Sequence, residues 1–278
     1  MTTVTVERGG CLQGTALIPG DKSISHRAVI LASIAEQITT LHGFLNSTDT
    51  LATLEACRQL GVPIAIQDDR IIVEGVGLQG LRAPNQVLNL GNAGTGFRLL
   101  TGLLAGQNFD SALTGDASLQ KRPMDRIFEP LRLMGAKINA GQFPVHIHGS
   151  PLQGIQYHIP MHSAQVKSCL LLAGLYATGK MTVSESVPTR NHMERLLAGE
   201  GNLFIPPDIS SAAFFYCGSL YCTRFGYLVG GDWCKPYSFR CDTYFAQNGC
   251  GYHTRKSPHV RCRTYRRYSC ALRAVMRY

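Results

Sequence analysis

The stretch Pro19-Gly20-Asp21-Lys22-Ser23-Ile24-Ser25-His26-Arg27 decides the fold of this chain. A turn dipeptide leads into a lysine, two serines and an arginine, and the apolar run Ala28–Ala35 continues as an amphipathic helix. Unpaired backbone N–H groups at a helix start, serine hydroxyls and two cations on adjacent turns suit a phosphorylated, anionic ligand. The same residues also fit an ordinary helix start that Ser23 caps, with the cations in solvent. The rest of the chain decides between these interpretations.

Composition divides the chain into a body, residues 1–215, and a tail, residues 216–278. Basic and acidic residues balance in the body, whereas the tail has 11 Lys and Arg against two Asp, which accounts for the formal net charge of +9. Seven of the ten cysteines also lie in the tail. No apolar run is long enough to span a membrane, and the N-terminus lacks the basic and apolar regions of a signal peptide. We therefore expect a cytoplasmic α/β protein that makes no membrane contact.

The body is internally repetitive, with a period of about 70 residues. Small or polar residues open a helix at Lys22-Ser23, at Asn92–Thr95 and at Ser163–Gln165. A cation follows one turn into each helix. These cations are Arg27, Arg98 and Lys167. A β-like stretch and a second helix come next, and the first two units close with strand pairs at Gly61–Gly75 and Gly135–Gly149. The periodicity predicts repeated βαβαββ-type units with helices packed under sheets.

The third unit departs from this pattern after its second helix, Asn191–Leu197. A glycine and a strand pair are due there, but the chain runs directly into Ile205–Ser211, which echoes Ile18–Ser23. We therefore predict that the third repeat lacks its closing strand pair.

Three helix N-termini directed at one cleft would combine three weak anion sites. Arg122 and Arg190 lie just before second helices, where a loop can present a guanidinium to carboxylate or phosphate. Gly91–Gly96 resembles a dinucleotide fingerprint only loosely, because no acidic residue follows about 20 positions later, and it has no Lys-Ser or Lys-Thr of a P-loop. The pattern favours a cleft for anionic small molecules.

Four motifs now occur in order along the body, at Asp21–Arg27, at Leu90–Thr95, at Gly115-Asp116 with Arg122–Met124, and at Ser163–Ser168. Together they resemble the 5-enolpyruvylshikimate-3-phosphate (EPSP) synthase family, over about residues 1–198 and again at Ile205–Phe215. The resemblance implies the two-domain enolpyruvyl transferase fold, with the first domain nearly complete and the second largely absent. It implies a second-domain strand in residues 1–20, a substrate-binding domain of three repeats in 21–204, and the start of the second domain in 205–215. It also implies transfer of the enolpyruvyl group of phosphoenolpyruvate to the 5-hydroxyl of shikimate 3-phosphate, with release of phosphate, in the shikimate pathway to chorismate and aromatic amino acids. The UDP-N-acetylglucosamine enolpyruvyl transferases share this fold and remain an alternative, which the first motif argues against.

The resemblance also implies roles for individual residues, with Lys22 as the catalytic residue that contacts both substrates. The residues implied for shikimate 3-phosphate are Lys22, Ser23, Arg27, Ser163, Ala164, Gln165 and Arg190. The residues implied for phosphoenolpyruvate are Lys22, Gly94, Arg122 and Gln165. Ala164 stands where many members have a second serine, as in one branch of the family. The resemblance implies no metal and no cofactor, and we expect a monomer that binds no nucleic acid.

The tail shows none of the family's second-domain motifs, which supply an aspartate, a glutamate and further basic residues. Two interpretations of the tail are a zinc module at Cys250, His253, His259 and Cys262, and a nucleic-acid arm at Arg261–Tyr268. We favour a third interpretation, in which the tail is translated out of frame. Back-translating Tyr216–His253 and reading one base forward gives a Lys-Met-Gly-Ala sequence that resembles Leu133–Ala136 of the body. We therefore expect a truncated and frameshifted member with a disordered tail. Such a chain would be inactive, or at most a remnant that binds shikimate 3-phosphate weakly.

Overall fold

The computed structural model describes residues 13–139, 141–197, 202–213 and 226–229. The chain separates into two compact units, one formed by Ile18–Ala212 and the other by Met1–Leu17 with Ala213–Tyr278. In the second unit, strand β1 (Gln13–Ala16) pairs in parallel with strand β14 (Gly226–Val229). The residues proposed above for a zinc module or a nucleic-acid arm lie outside the described residues.

The first unit alternates helices and short strands, as the repeats predict. Its helices are α1 (Lys22–Ser33), α2 (Thr48–Gln59), α3 (Gly94–Ala105), α4 (Ala117–Gln120), α5 (Asp125–Leu133), α6 (Ala164–Gly174) and α7 (His192–Leu197). Its strands are β2 (Ile38–His42), β3 (Ile64–Gln67), β4 (Arg70–Glu74), β5 (Leu88–Asn89), β6 (Ser111–Thr114), β7 (Lys137–Asn139), β8 (Val145–His148), β9 (Leu152–Gln153), β10 (Gln156–Ile159), β11 (Ala177–Thr178), β12 (Thr182–Glu185) and β13 (Asn202–Phe204).

The first two repeats build matching four-stranded sheets, in the orders β13-β2-β4-β3 and β5-β6-β8-β7. In each, an antiparallel closing pair is attached to the strand that follows the first helix, and a parallel strand lies on its other side. In the third repeat, β12 pairs in parallel with β10, and no antiparallel strand of the described residues joins it. The third repeat therefore differs from the other two at the edge of its sheet.

Strand β13 occupies in the sheet of repeat one the place that β5 occupies in repeat two. Its ladder runs from Asn202 beside Thr40 to Phe204 beside His42, and the two rings of the last pair stack with centroids 4.5 Å apart. The following residues are fixed to the start of α1, since the Asp21 amide donates to the Pro206 carbonyl at 2.7 Å. Residues 205–212, assigned from the sequence to the second domain, thus fall in the first unit.

Helices α1, α3 and α6 form the interior of the unit. Every residue of α3 except Thr95 is buried, as expected for a helix that is apolar on all sides. At Gly102 a Cβ would lie 2.3 Å from the Cys169 carbonyl oxygen, so glycine is what lets α3 approach α6 closely. Sheets cover these helices from outside, and the predicted fold class is confirmed.

Candidate functional site

The start of α1 is held by Asp21 rather than by Ser23. The Asp21 carboxylate accepts a hydrogen bond from the Ile24 amide at 2.8 Å, which makes Asp21 the N-cap and corrects the interpretation of Ser23 as the cap. Ser25 is buried, donating to the Asp21 carbonyl at 2.9 Å and accepting from the Leu45 amide at 3.0 Å. Capping by Asp21 leaves Ser23 available at the helix start, half-buried.

Lys22 begins α1 with its side chain 48% exposed. Its ammonium pairs with the carboxylate of Asp49, which lies in the first turn of α2. The pair is partly open to solvent, so it contributes little to stability, and its charges remain accessible to a ligand. Lys22 is therefore placed as a catalytic or binding cation would need to be.

Arg27 is buried, with only 3% of its surface exposed. Its guanidinium donates to Ser168 Oγ at 3.2 and 2.9 Å, to the Ser23 carbonyl at 2.9 Å and to the Ala164 carbonyl at 3.5 Å. Burial lowers the pKa of Arg27 to about 10, with Asp21 opposing the shift and Arg190 adding to it. The group stays charged at neutral pH, and these four bonds reach only neutral oxygens.

Arg98 occupies a similar position in the second repeat and is 4% exposed. It donates to the Gln165 side-chain oxygen at 2.9 Å, to the Gly94 carbonyl at 3.1 Å and to the Pro123 carbonyl at 3.5 Å. Burial lowers the pKa of Arg98 to about 10, and the positive charges of Arg126 and Arg122 add to the shift. Its charge too is offered only to neutral acceptors in these bonds.

These contacts tie the three inner helices together at their N-terminal ends. The Arg27–Ser168 bonds join α1 to α6, and Gln165 joins α6 to α3 by accepting from Arg98 and donating to Thr95 Oγ1 at 2.9 Å. Ser163 caps α6 by accepting from the Val166 amide at 3.3 Å. Three helix starts with their partial positive charges consequently lie beside two buried arginines.

Gly94 and Arg122 form one side of this cluster. Arg122 donates to the side-chain oxygen of Asn92, which places its guanidinium across the start of α3. A Cβ at Gly94 would lie 2.6 Å from Arg122 Nη1 and 3.1 Å from Arg98 Nη1. The absence of a side chain at Gly94 therefore allows two guanidinium groups to reach the helix start.

Lys167, the cation of the third repeat, behaves differently from the other two. It is buried, and its ammonium lies 2.8 Å from Glu185 Oε1 and 3.0 Å from Glu194 Oε1. Burial alone would lower the pKa of Lys167, but the bonds to the two carboxylates outweigh burial and raise it. The sequence analysis missed both partners, although a lysine within an apolar helix is itself a signal that carboxylates must lie nearby.

The structure thus brings most of the sequence-predicted residues into one cluster, which we call the helix-start cluster: Lys22, Ser23, Arg27, Gly94, Arg122, Ser163, Ala164 and Gln165. Arg190 lies on the loop before α7, close enough to Arg27 to lower its pKa. Among the described residues, no group of His, Cys, Asp and Glu has the arrangement of a metal site. No helix in the described part of the chain is long and apolar enough to cross a membrane.

The family model described as EPSP synthase (3-phosphoshikimate 1-carboxyvinyltransferase) matches residues 6–201. The chain belongs to the EPSP synthase family. It is 52% identical over 243 residues to the 3-phosphoshikimate 1-carboxyvinyltransferase of Acidithiobacillus ferrooxidans, covering 79% of this chain and 56% of that protein. It is 54% identical over 230 residues to the enzyme of the same name from Coxiella burnetii, covering 73% and 52%. The chain spans just over half the length of these EPSP synthase relatives.

A solved structure of EPSP synthase from Acinetobacter baumannii superimposes with a TM-score of 0.77 at 43% identity, covering 86% of this chain and 59% of that one. The alignment with the Acidithiobacillus protein also contains a gap. Since 79% of 278 residues is about 220, the 243-residue alignment includes about 23 positions that this chain does not fill.

Proposed function

We propose that the first unit of this chain binds shikimate 3-phosphate, with phosphoenolpyruvate beside it, as one half of an enolpyruvyl transferase site. The observation that carries the proposal is the meeting of three helix starts with two buried arginines whose bonds reach neutral oxygens. A positive, partly desolvated cleft of this kind favours a dianionic phosphate and a carboxylate. The names of the similar proteins favour shikimate 3-phosphate over the UDP-sugar of the sister family.

In this proposal Arg27, Ser163 and Arg190 hold the phosphate of shikimate 3-phosphate. Ser23, Ala164 and Gln165 complete that subsite. Gly94 and Arg122 receive phosphoenolpyruvate, with Gln165 near both substrates, and the arginine suits a carboxylate or phosphate because its donors form a planar fork.

Lys22 is the proposed catalytic residue between the two substrates. Addition of a hydroxyl to an enol ether, followed by loss of phosphate, needs a cation beside the bridging oxygen. It also needs groups that protonate and then deprotonate the methylene carbon. In the family resemblance those groups come from the second domain, whose motifs are not found in residues 216–278. We therefore propose that this polypeptide by itself binds substrate without turning it over.

The domain assignment belongs to the same proposal. We propose that residues 1–20 and 205–215 derive from the second domain although residues 18–20 and 205–212 pack in the first compact unit, that 21–204 is the substrate-binding domain, and that 216–278 is an out-of-frame tail. The roughly 23 alignment positions that this chain does not fill are consistent with loss of the third closing strand pair. A fresh read of the coding DNA from codon 195 to codon 278 tests this assignment. A base restored near codon 215, together with a strand pair after Leu197, would mean a synthase with both domains instead.

Calorimetric titration of the purified full chain tests the binding function. Shikimate 3-phosphate should bind at one saturable site, and shikimate without its phosphate should bind roughly 100-fold more weakly, because charge-assisted hydrogen bonds contribute about 1.5–3 kcal/mol each. Equal affinity for the two compounds, or none for either, would contradict the proposal. With both substrates present we expect no phosphate release, and turnover near 1 s⁻¹ or faster, the range of ordinary enzymes, would overturn the claim of inactivity.

We also propose that the chain is a cytoplasmic monomer. The two cysteines that the structure describes, Cys57 and Cys169, are buried free thiols, which suits a reducing compartment. Cell fractionation and light scattering coupled to size exclusion would test the two parts of this proposal separately.

A further inference from the structure

The loop that carries Arg190 is bracketed by a buried ion network. Lys167 lies on α6 with 8% of its side chain exposed, and its ammonium contacts Glu185 at the end of β12 and Glu194 in the first turn of α7. These two carboxylates stand on either side of the loop, at residues 186–191. One buried ammonium therefore fixes the distance between the two ends of that loop.

Glu185 is also bonded to the loop itself. Its carboxylate accepts from the Thr189 amide at 2.9 Å and from Thr189 Oγ1 at 2.6 Å. With the Lys167 bond at 2.8 Å, this one carboxylate holds three donors, and they keep it ionised: the pKa of Glu185 is lowered although burial opposes the shift. The backbone immediately before Arg190 is consequently tied to the interior of the unit.

The residue after Arg190 is fixed as well. The Asn191 carbonyl accepts from the Arg195 amide at 3.1 Å, which is the first turn of α7. Arg190 thus lies between a bonded threonine and a helix start, yet its own side chain is exposed. It makes no hydrogen bond or ion pair with any other residue in the described ranges. A rigid backbone that carries an uncommitted guanidinium is the geometry expected of a residue held ready for a ligand.

We propose that Lys167, Glu185 and Thr189 are positioning residues that hold Arg190 toward the phosphate of shikimate 3-phosphate. This inference rests on the proposed function, because it names what holds one of that site's ligand-binding groups. It assigns the third repeat's cation a part in binding that is indirect, through a loop rather than through contact with the ligand.

A double-mutant cycle in the full-length chain tests the inference. Glu185→Gln and Thr189→Val should each weaken shikimate 3-phosphate binding by about tenfold, as expected when a contact group loses its orientation. In an Arg190→Gln background the same two changes should have less than about a twofold effect, because the residue through which they act is gone. Glu129→Gln, an exposed carboxylate on α5, is the matched control and should change nothing in either background. Equal losses in both backgrounds would overturn the inference and leave a purely structural network.

Amide hydrogen exchange provides a second measurement that needs no ligand. Glu185→Gln should speed exchange at Thr189 by at least about tenfold, since the amide loses its charged acceptor, while α3 stays protected. Unchanged exchange at Thr189 would overturn the inference even if the affinity falls. If the parent chain binds no shikimate 3-phosphate, the proposed function fails, and this exchange result alone then decides whether the network anchors the loop.

Discussion

The first two repeats and the third begin alike in sequence but differ in what they do with a buried cation and with the end of the second helix. Arg27 and Arg98 donate their hydrogen bonds to neutral oxygens beside the helix starts. Lys167 is paired with two carboxylates of its own repeat. Equivalent positions in a repeat therefore need not have equivalent roles, because the partners that decide the role lie on other helices and strands.

The ends of the second helices combine buried and exposed positions. Leu60 and Met134, which directly follow α2 and α5, are fully buried. Leu133 and Leu197, the last residues of α5 and α7, are 67% and 42% exposed. Leu197 borders an apolar groove that also includes Leu31, Leu175 and Leu203. A closing strand pair follows the first two helices, and none follows α7 among the described residues.

The largest expected effect tests how much burial at the ends of the second helices contributes to stability. Leu60→Ala and Met134→Ala should each lower the free energy of unfolding by about 2–5 kcal/mol, because each leaves a cavity in a packed interior. Leu197→Ala should cost less than about 1 kcal/mol, since that side chain is already partly in water. Urea unfolding of the three variants measures the difference, and a loss at Leu197 as large as at Leu60 would contradict the comparison.

The next effect concerns the cations of the helix-start cluster. Arg27→Lys keeps the charge but loses the planar fork that reaches Ser168 and Ala164, so shikimate 3-phosphate binding should weaken by roughly 10–100-fold. Arg58→Lys is the matched control, because that guanidinium, in the last turn of α2, bonds to the Ile64 carbonyl at 3.1 and 2.7 Å and pairs with Glu55 at 3.6 Å. Titration calorimetry on both variants checks the prediction. Comparable losses in the two would mean that the effect is one of general stability.

A smaller effect is expected at the start of α3. Gly94→Ala places a methyl group 2.6 Å from Arg122 Nη1, so the guanidinium must move away from the helix start. Binding of phosphoenolpyruvate in the presence of shikimate 3-phosphate should weaken by about tenfold, the cost of misplacing one charge-assisted contact. Binding of shikimate 3-phosphate alone should change less than about twofold. A larger loss for shikimate 3-phosphate than for phosphoenolpyruvate would contradict the assignment of Gly94 to the phosphoenolpyruvate subsite.

The smallest expected effect is a pH dependence of stability that comes from the Lys167–Glu185 ion pair. Because the folded pKa of Glu185 is lowered, its stabilisation is complete above the ordinary value of 4.5 and is lost as pH falls through the folded pKa. The raised pKa of Lys167 gives stabilisation that is complete below its ordinary value of 10.5 and is lost as pH rises beyond it. The melting temperature of the parent chain should thus exceed that of Glu185→Gln at pH 6, and the gap should close in acid. A gap that stays constant down to pH 3 would contradict this assignment.

Much of the fold could be predicted from local signals in the sequence. Apolar periodicity identified the first and second helices of all three repeats, and the glycines at Gly61 and Gly135 marked the two closing strand pairs. Strand β13 was not predicted, because Asn202–Phe204 is only three residues long and has no alternating pattern of its own. Its conformation depends on hydrogen bonding to β2, a strand about 160 positions earlier in the chain.

The site was predictable as a set of residues but not as a set of roles. The sequence pattern indicated Lys22 and Arg122 as cations near helix starts, which is a local property, and the family resemblance implied Gln165. The partners of Lys167 were not predictable in this way, since Glu185 and Glu194 lie 18 and 27 positions away on separate elements.

The sequence by itself therefore determined the repeats, the helix starts and the family, because each depends on residues close together in the chain. Only the tertiary structure decided that Asp21 caps α1, that two buried arginines donate to neutral oxygens, and that the third cation is paired with two carboxylates. The physical reason is that helix periodicity and backbone donors are properties of short segments. Whether a buried charge is free or paired depends on which groups the whole fold brings within about 3 Å of it.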